Sequence, residues 1–363
     1  MARIVICGYY GFNNSGDDAL LLAISRDFEK LLPDAELTVL SGTPRETERV
    51  YGLRAVDRFS PLSVIREIAH ADLFLFGGGS LIQDYTSRKS LAYYLLLLRI
   101  ARLFHVPTMV YSNGIGPLIR KNDRAVRRVL DHVDVITLRD RQSLRTIEAL
   151  GVKNPHIEVT ADPAFSLVPS AKSIGDALLR EAGIPEGTPA LGVAIREWSD
   201  AAPGFVDILA RACDYAKKKH GLAPVFIPMQ QKIDERIARD TIAKMETTGH
   251  ILPTGLPVPV LLSAIGSLQL CIGMRLHTII YSAACCVPMI GIIYDPKVSG
   301  IMEQIGQNRS LLAENLEYED LCARIDETMA HRDEIIASLS AQKPNLTSLA
   351  RRNTELAVAL LKK

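Results

Sequence analysis

Short apolar runs alternate with stretches of 3.6-residue periodicity along most of the chain, and this alternation limits the possible folds more than any other feature. In the first half the runs are Ile4–Cys7, Leu37–Leu40, Leu73–Phe76, Thr108–Tyr111, Val135–Thr137 and Glu158–Thr160. Strands of this length separated by helical segments pair as βαβ units, which gives a mostly parallel sheet. The rhythm lapses between Asp162 and Pro189, where Pro169, Gly175, Gly183 and Pro185 interrupt it. It resumes with Leu191–Ile195, Pro224–Ile227, Leu270–Ile272 and Met289–Ile293. The spacing predicts an α/β chain of two Rossmann-like domains facing a cleft. The first covers residues 1–165, a linker covers 166–188, and the second covers 189–344. A closing helix over 345–363 is expected to pack back across both domains.

A length of 363 residues fits two such domains. The charge sum of 42 Lys+Arg against 41 Asp+Glu leaves +1, so no global field gathers a phosphate backbone, which argues against a dedicated nucleic-acid binder and leaves room only for a local basic patch. The six cysteines contain no C-x-x-C pair and the eight histidines no zinc-ligand spacing, which predicts a reduced, cytoplasmic protein without metal. The N-terminal apolar segment is too short for a signal peptide. The uncharged stretch from Thr278 to Tyr294 is broken by Pro288 and Gly291 and reads as a buried helix followed by a buried strand.

In parallel sheets of this kind ligands bind at the carboxyl ends of the strands. The first such turn, from Gly8 to Leu20, holds three glycines, two asparagines and the pair Asp17-Asp18. It is neither a dinucleotide fingerprint nor a Walker loop. Asp17 or Asp18 either caps the following helix or contacts a sugar hydroxyl as ligand or base. The next turn carries Gly77, Gly78, Gly79, Ser80 and Asp84, and a third carries Asn113, Gly114 and Gly116. Three glycine turns on one sheet edge imply a bulky polar substrate. Arg139 follows the strand Val135–Thr137. In the second half, Gly273-Met274-Arg275-Leu276-His277 follows a strand and precedes an apolar helix, Lys297 ends another strand, and Arg196 lies beside the single tryptophan, Trp198. Arg139, Arg196, Arg275, His277 and Lys297 together suggest a site for a small polyanion.

These strings resemble the polysaccharide pyruvyl transferase family, and most closely its CsaB-type cell-wall branch. The resemblance runs over Gly8 to Phe12, Asn14 to Ala19, Gly77 to Asp84, Asn113 to Pro117, Arg139-Asp140, Ala161 to Pro163, Gly273 to His277 and Tyr294 to Lys297. Asp18 stands where glutamate is common, and Ser112-Asn113 where Ala-Gln is common. The resemblance implies a GT-B-like fold and phosphoenolpyruvate as a substrate, with no cofactor and no metal. It also implies a 4,6-linked pyruvate ketal on an N-acetylmannosamine-type residue of a lipid-linked secondary cell-wall polysaccharide precursor, a ketal that anchors S-layer homology domains.

Forming a ketal from an enol phosphate needs an acid, a base and several cations. His277 is expected to protonate the donor, with Arg275, Arg139 and Lys297 binding its carboxylate and phosphate and Arg196 in support. Acceptor contacts are expected from Asn14, Asp17, Asp18, Gly78, Gly79, Ser80, Asp84 and Asn113. A lipid-linked acceptor would bring the enzyme to the inner face of the membrane, where Arg99, Arg102, Arg120, Lys121, Arg124, Arg127 and Arg128, near apolar Leu95–Leu98, would meet anionic lipid. Two other readings fit the same layout. One is a nucleotide-sugar-dependent GT-B glycosyltransferase, whose diphosphate also suits arginine and lysine; the other is a non-catalytic carbohydrate-binding protein.

Overall fold

The computed structural model describes residues 1–84, 87–119 and 122–362. The chain divides into two compact units: Met1–Ser166 with the C-terminal segment from Asn345, and Leu167–Pro344.

The first unit follows a regular βα rhythm. It comprises β1 (Arg3–Tyr10), α1 (Ser15–Leu31), β2 (Glu36–Ser41), α2 (Pro44–Tyr51), β3 (Arg54–Asp57) and α3 (Pro61–Ala69). It continues with β4 (Leu73–Ile82), α4 (Arg88–Leu103), β5 (Thr108–Ile115), α5 (Asp123–Leu130), β6 (Val135–Leu138), α6 (Arg141–Leu150) and β7 (Ile157–Val159). The seven strands form one sheet in the order β3-β2-β1-β4-β5-β6-β7, and every neighbouring pair is parallel. Successive side chains leave a strand on opposite faces, so each central strand feeds two cores. Val5, Cys7, Phe74, Phe76 and Val110 pack with residues of α3 to α6 on one face. Ile4, Ile6, Leu73, Leu75, Met109 and Tyr111 pack with Leu20, Leu21, Ile24 and Phe28 of α1 on the other. The strand order reverses between β1 and β4, which is where such a sheet opens its binding crevice.

The second unit repeats the plan. Its elements are α7 (Lys172–Glu181), β8 (Ala190–Ala194), α8 (Phe205–His220), β9 (Ala223–Phe226), α9 (Ile233–Ile242), β10 (His250–Ile251) and α10 (Val258–Gly266). Then follow β11 (Leu270–Gly273), α11 (Leu276–Ala284), β12 (Met289–Ile293), α12 (Pro296–Gln304), β13 (Ser310–Leu312) and α13 (Tyr318–Ala330); α14 (Arg332–Leu360) starts in this unit and belongs to the first from Asn345 onward. Its parallel sheet runs β10-β9-β8-β11-β12-β13, with the reversal between β8 and β11.

Two boundaries differ from the sequence reading. The stretch expected as a linker over 166–188 belongs to the second unit from Leu167 onward and contains α7, which packs on α10. Gly175 is the reason: its N–H donates to Ser263 Oγ at 3.1 Å, and a Cβ there would meet the Ser263 carbonyl oxygen at 2.2 Å. The glycine thus permits close helix packing and does not break the helix. The closing helix begins at Arg332, not at 345, and runs through Pro344. From Asn345 it joins the first unit, where Ala357, Val358 and Leu360 complete the α1-side core. There the hydroxyls of Tyr111 and Thr354 lie 2.7 Å apart, and Asn353 Nδ2 donates to the Ala161 carbonyl at 3.1 Å.

Candidate active site

In the second unit the strand ends on both sides of the β8/β11 reversal bring together most of the residues singled out in that half. Arg275 follows β11, and its backbone is tied to β8 by the Met274 N–H, which donates to the Ala194 carbonyl at 2.8 Å. Its guanidinium turns toward the loop after β9. There Nε donates to Asp234 Oδ2 at 3.0 Å, Nη2 donates to Asp234 Oδ1, and Nη2 also reaches Gln230 Oε1 at 3.2 Å. Asp234 is buried and accepts the N–H groups of Met229 and Gln230 at 3.1 and 2.9 Å. Arg275 also occupies the cap position of α11, and no side chain caps that helix. His277, half-buried, is the second residue of α11, with its ring 6.0 Å from that of Tyr281.

The neighbouring strand ends supply aromatic rings and two more cations. Asp295 caps α12 by accepting the Lys297 N–H at 3.0 Å, and its other oxygen lies 3.1 Å from Lys297 Nζ. Tyr294 lies edge-on to Trp198 with centroids 5.0 Å apart. Arg196 sits 5.2 Å from the Tyr294 ring centre and 5.9 Å from that of Trp198, while Lys297 Nζ is 5.6 Å from Tyr294. Arg196, Trp198, Tyr294 and Lys297 therefore form one cationic and aromatic cluster.

Arg139 is not part of this set. It lies in the first unit and is 1% exposed, so it offers no surface to a ligand. Its Nη2 donates to Ser80 Oγ at 2.8 Å, Nη1 faces Asp162 at 3.4 Å and Nε faces Asp140 at 3.6 Å. Two buried carboxylates already neutralise it. Its expected role as a donor ligand is corrected to an internal one.

The acceptor-side residues expected from the first unit divide in the same way. Asn14, not Asp17 or Asp18, caps α1, its Oδ1 accepting the Gly16 N–H at 3.0 Å. Asp17 and Asp18 stand half-buried in the first turn of that helix. Asp18 accepts the Tyr51 hydroxyl at 3.0 Å, and burial pushes its carboxyl up to about 6. Ser80 is occupied by Arg139. Asp84 is buried and holds the Ile119 N–H at 2.8 Å and the side chain of Asn122. Asn113 is fully buried, its Nδ2 donating to the carbonyls of Phe76 and Tyr111.

The glycine runs extend β4 and β5 past their regular ladder and are not turns. Gly78 and Gly79 adopt φ of +62° and +81°, and a Cβ on Gly78 would press on Leu20 of α1 at 2.9 Å. A Cβ on Gly114 would meet Arg139 Nη2 at 2.7 Å. These glycines admit neighbouring side chains, so the inference of a bulky substrate from them does not hold.

The basic patch is corrected as well. Arg120 and Lys121 lie outside the described residues, and Leu95, Leu97 and Leu98 are buried in the core, which leaves only Leu96 of that run exposed. Among the described residues no helix is long and apolar enough to cross a membrane.

Sequence reasoning passed over Gln230 and Asp234 in the second unit and Tyr51 and Arg58 in the first. The strand Pro224–Ile227 was legible, and inspecting the residues just beyond it would have found Asp234. Arg58 and Tyr51 carry no local signal, because their partners lie far away in the chain.

Comparison with solved structures shows a GT-B-like fold for the whole chain. HepE of Anabaena in complex with UDP-glucose aligns over 99% of this chain and 100% of its own, with a TM-score of 0.69 at 14% identity. UDP-GlcNAc 2-epimerase from Neisseria meningitidis bound to UDP-GlcNAc aligns over 99% and 100%, with a TM-score of 0.68 at 8% identity. A glycosyltransferase from Rickettsia africae aligns over 100% and 99%, with a TM-score of 0.64 at 12% identity. No curated protein matches the sequence.

These findings overturn the expected reaction. Five of the similar structures, HepE and the Neisseria epimerase among them, carry UDP or a UDP-sugar. Of the cations meant to clamp phosphoenolpyruvate, Arg139 is enclosed by Asp140 and Asp162 inside the first unit. Phosphoenolpyruvate, the pyruvate ketal, the lipid-linked acceptor and S-layer anchoring fall with it. Kinship of sequence is a separate matter from the donor: the family model for polysaccharide pyruvyl transferase matches residues 14–296, and the chain belongs to the polysaccharide pyruvyl transferase family.

Proposed function

We propose that the chain is a nucleotide-sugar-dependent glycosyltransferase of GT-B type whose second unit binds the nucleotide diphosphate of a UDP-sugar. The observation that carries the reading is the end-to-end likeness to UDP-sugar enzymes, together with the strand-end cluster of the second unit. Lys297 and Arg196 offset the charge of the diphosphate, and the Trp198 and Tyr294 rings offer faces for the base. The start of α11, with no side-chain cap and directly after a strand at the sheet reversal, suits a phosphate. His277 at that start and Arg275 beside it are the proposed catalytic pair, with Asp234 holding Arg275 in position.

On the acceptor side the proposed groups are Asn14, Asp17 and Asp18. In the transfer an acceptor hydroxyl attacks the anomeric carbon, the bond from that carbon to the diphosphate oxygen breaks, and UDP leaves. The hydroxyl proton passes to a general base. Placement in the CsaB-type branch rests on the quoted sequence strings alone. Cytoplasmic placement is part of the same proposal and is supported by six cysteines that form no disulfide.

Titration calorimetry with UDP, UDP-glucose, UDP-GlcNAc and phosphoenolpyruvate tests the reading directly. Saturable binding of UDP and its sugars that His277→Ala leaves intact, while UDP release in the presence of acceptor is lost, is the expected result. Absence of UDP binding would sink the proposal.

A further inference from the structure

The first unit carries a group of aromatic side chains that neither the core nor the site described above uses. Phe59, just past β3, is 69% exposed, and Tyr9, near the end of β1, is 38% exposed. Phe12 lies between them, stacked on Tyr9 with centroids 4.3 Å apart and an interplanar angle of 17°, and edge-on to Phe59 at 6.4 Å. Beneath these rings sits Arg58, only 7% exposed. Its guanidinium lies 5.3 Å from the Phe12 centroid, 6.0 Å from that of Phe59, and 5.1 and 5.5 Å from those of Tyr93 and Tyr94.

Burying a guanidinium is costly unless something compensates its charge. Among the described residues no carboxylate pairs with Arg58. It donates instead to the Gly8 carbonyl at 2.7 Å and to the Tyr94 hydroxyl at 3.2 Å, and four ring faces take up the rest of its charge. Such a cation does not serve as an open anion site. What it does is fix Phe12 and Phe59, so that exposed rings which would otherwise move are held in one arrangement.

A preformed aromatic surface at a strand end binds a ligand with a flat apolar face. The ionisable groups beside it select among such ligands. Burial, and after it the nearby Asp17 carboxylate, raise the pKa of the Tyr9 hydroxyl, and Asp17 and Asp18 share the first turn of α1. Carboxylates repel the phosphates of a nucleotide but accept hydrogen bonds from neutral hydroxyls. A pyranose fits both requirements, because its axial C–H groups make one face apolar and its equatorial hydroxyls ring the edge.

We propose that Tyr9, Phe12 and Phe59, held by Arg58, form a stacking platform for a pyranose ring of the acceptor saccharide. That the ring belongs to an acceptor rests on the glycosyltransferase reading; the platform itself does not. Saturation-transfer NMR with irradiation of the aromatic protons tests it, using glucose, N-acetylglucosamine, N-acetylmannosamine and chitobiose as probes on the full chain without donor. At least one probe is expected to receive saturation on its axial protons. Phe59→Ala is expected to weaken that signal about fivefold, the equivalent of one lost stacking contact. Leu103→Ala, at a 74% exposed position on α4, serves as the control and leaves it unchanged.

Arg58 is a positioning residue, so Arg58→Met lowers the signal and Arg58→Lys restores part of it, with far-ultraviolet circular dichroism unchanged in both. No transfer to any probe, or transfer that survives Phe59→Ala, overturns the platform. UDP titration of the same preparations separates the two readings. UDP binding without saccharide transfer removes the platform alone, whereas transfer that depends on Phe59 without UDP binding supports the platform and removes the glycosyltransferase reading.

Discussion

The Asp234 carboxylate accepts Arg275 Nε at 3.0 Å and is bound by Nη2 of the same guanidinium, so the arginine of the Gly273–His277 string is neutralised within its own unit. Asp234 also fixes the amides of Met229 and Gln230. Removing one partner of a nearly buried pair leaves the other uncompensated, at a cost of about 3–5 kcal/mol. Asp234→Ala is therefore expected to lower the stability of the second unit by that order in chemical denaturation, and Asp234→Ala/Arg275→Met to recover most of the loss. Equal stability of the single and double variants would show that the pair does not hold this loop.

Arg139 gives a second prediction, in the first unit. Arg139→Met leaves the buried Asp140 and Asp162 without their shared cation, and the expected loss is again about 3–5 kcal/mol. Gly114→Ala places a Cβ 2.7 Å from Arg139 Nη2 and 2.9 Å from Ser80 Oγ, an overpacking cost of about 1–3 kcal/mol. Since both act on one contact, the double variant is expected to be less destabilised than the sum. Strict additivity in thermal unfolding would contradict this account of Gly114.

These two arginines show how far the sequence could be read. Strands were legible because parallel strands buried on both faces are continuous apolar runs, as in Leu73–Phe76, and the turns beyond them located Arg275, His277, Arg196 and Lys297 correctly at strand ends. Partners were not legible, because pairing is tertiary. Arg139 and Arg275 look alike in sequence, and only the fold reveals that one is enclosed by Asp140 and Asp162 and the other gripped by Asp234. Gly175 was misread for the same reason, since its role is set by Ser263 on another helix. Pro344 hid the first half of α14 because proline usually ends a helix.

Asp18 predicts a pH dependence. Burial raises its carboxyl from the ordinary 3.8 to about 6, so the folded state holds the proton more tightly than the unfolded state. The penalty of ionising it is absent below about pH 4, grows as pH rises through the interval from 4 to 6, and is complete above it. Asp18→Asn keeps an acceptor for the Tyr51 hydroxyl while removing the charge. The variant is expected to be more stable than the parent at pH 7–8, by on the order of 1–3 kcal/mol, and equal to it near pH 3. Thermal melts of the two proteins across this range measure the effect, and a stability difference that does not change with pH would refute it.

Lys297 separates binding from stability most cleanly. Its pair with Asp295 spans 3.1 Å between partly exposed side chains, and pairs of this kind are worth about 0–1 kcal/mol to the fold. A hydrogen bond to a charged phosphate is worth about 1.5–3 kcal/mol, so Lys297→Ala is expected to weaken UDP binding about tenfold or more while leaving the melting temperature almost unchanged. Arg196→Ala is expected to act less strongly, since the Trp198 and Tyr294 rings keep their mutual contact without it. Both losses shrink as salt is raised, because part of each is screened. Calorimetric titration of UDP at two ionic strengths reads all three effects. Wild-type affinity in the Lys297 variant would mean that the diphosphate is held elsewhere than at the strand ends of the second unit.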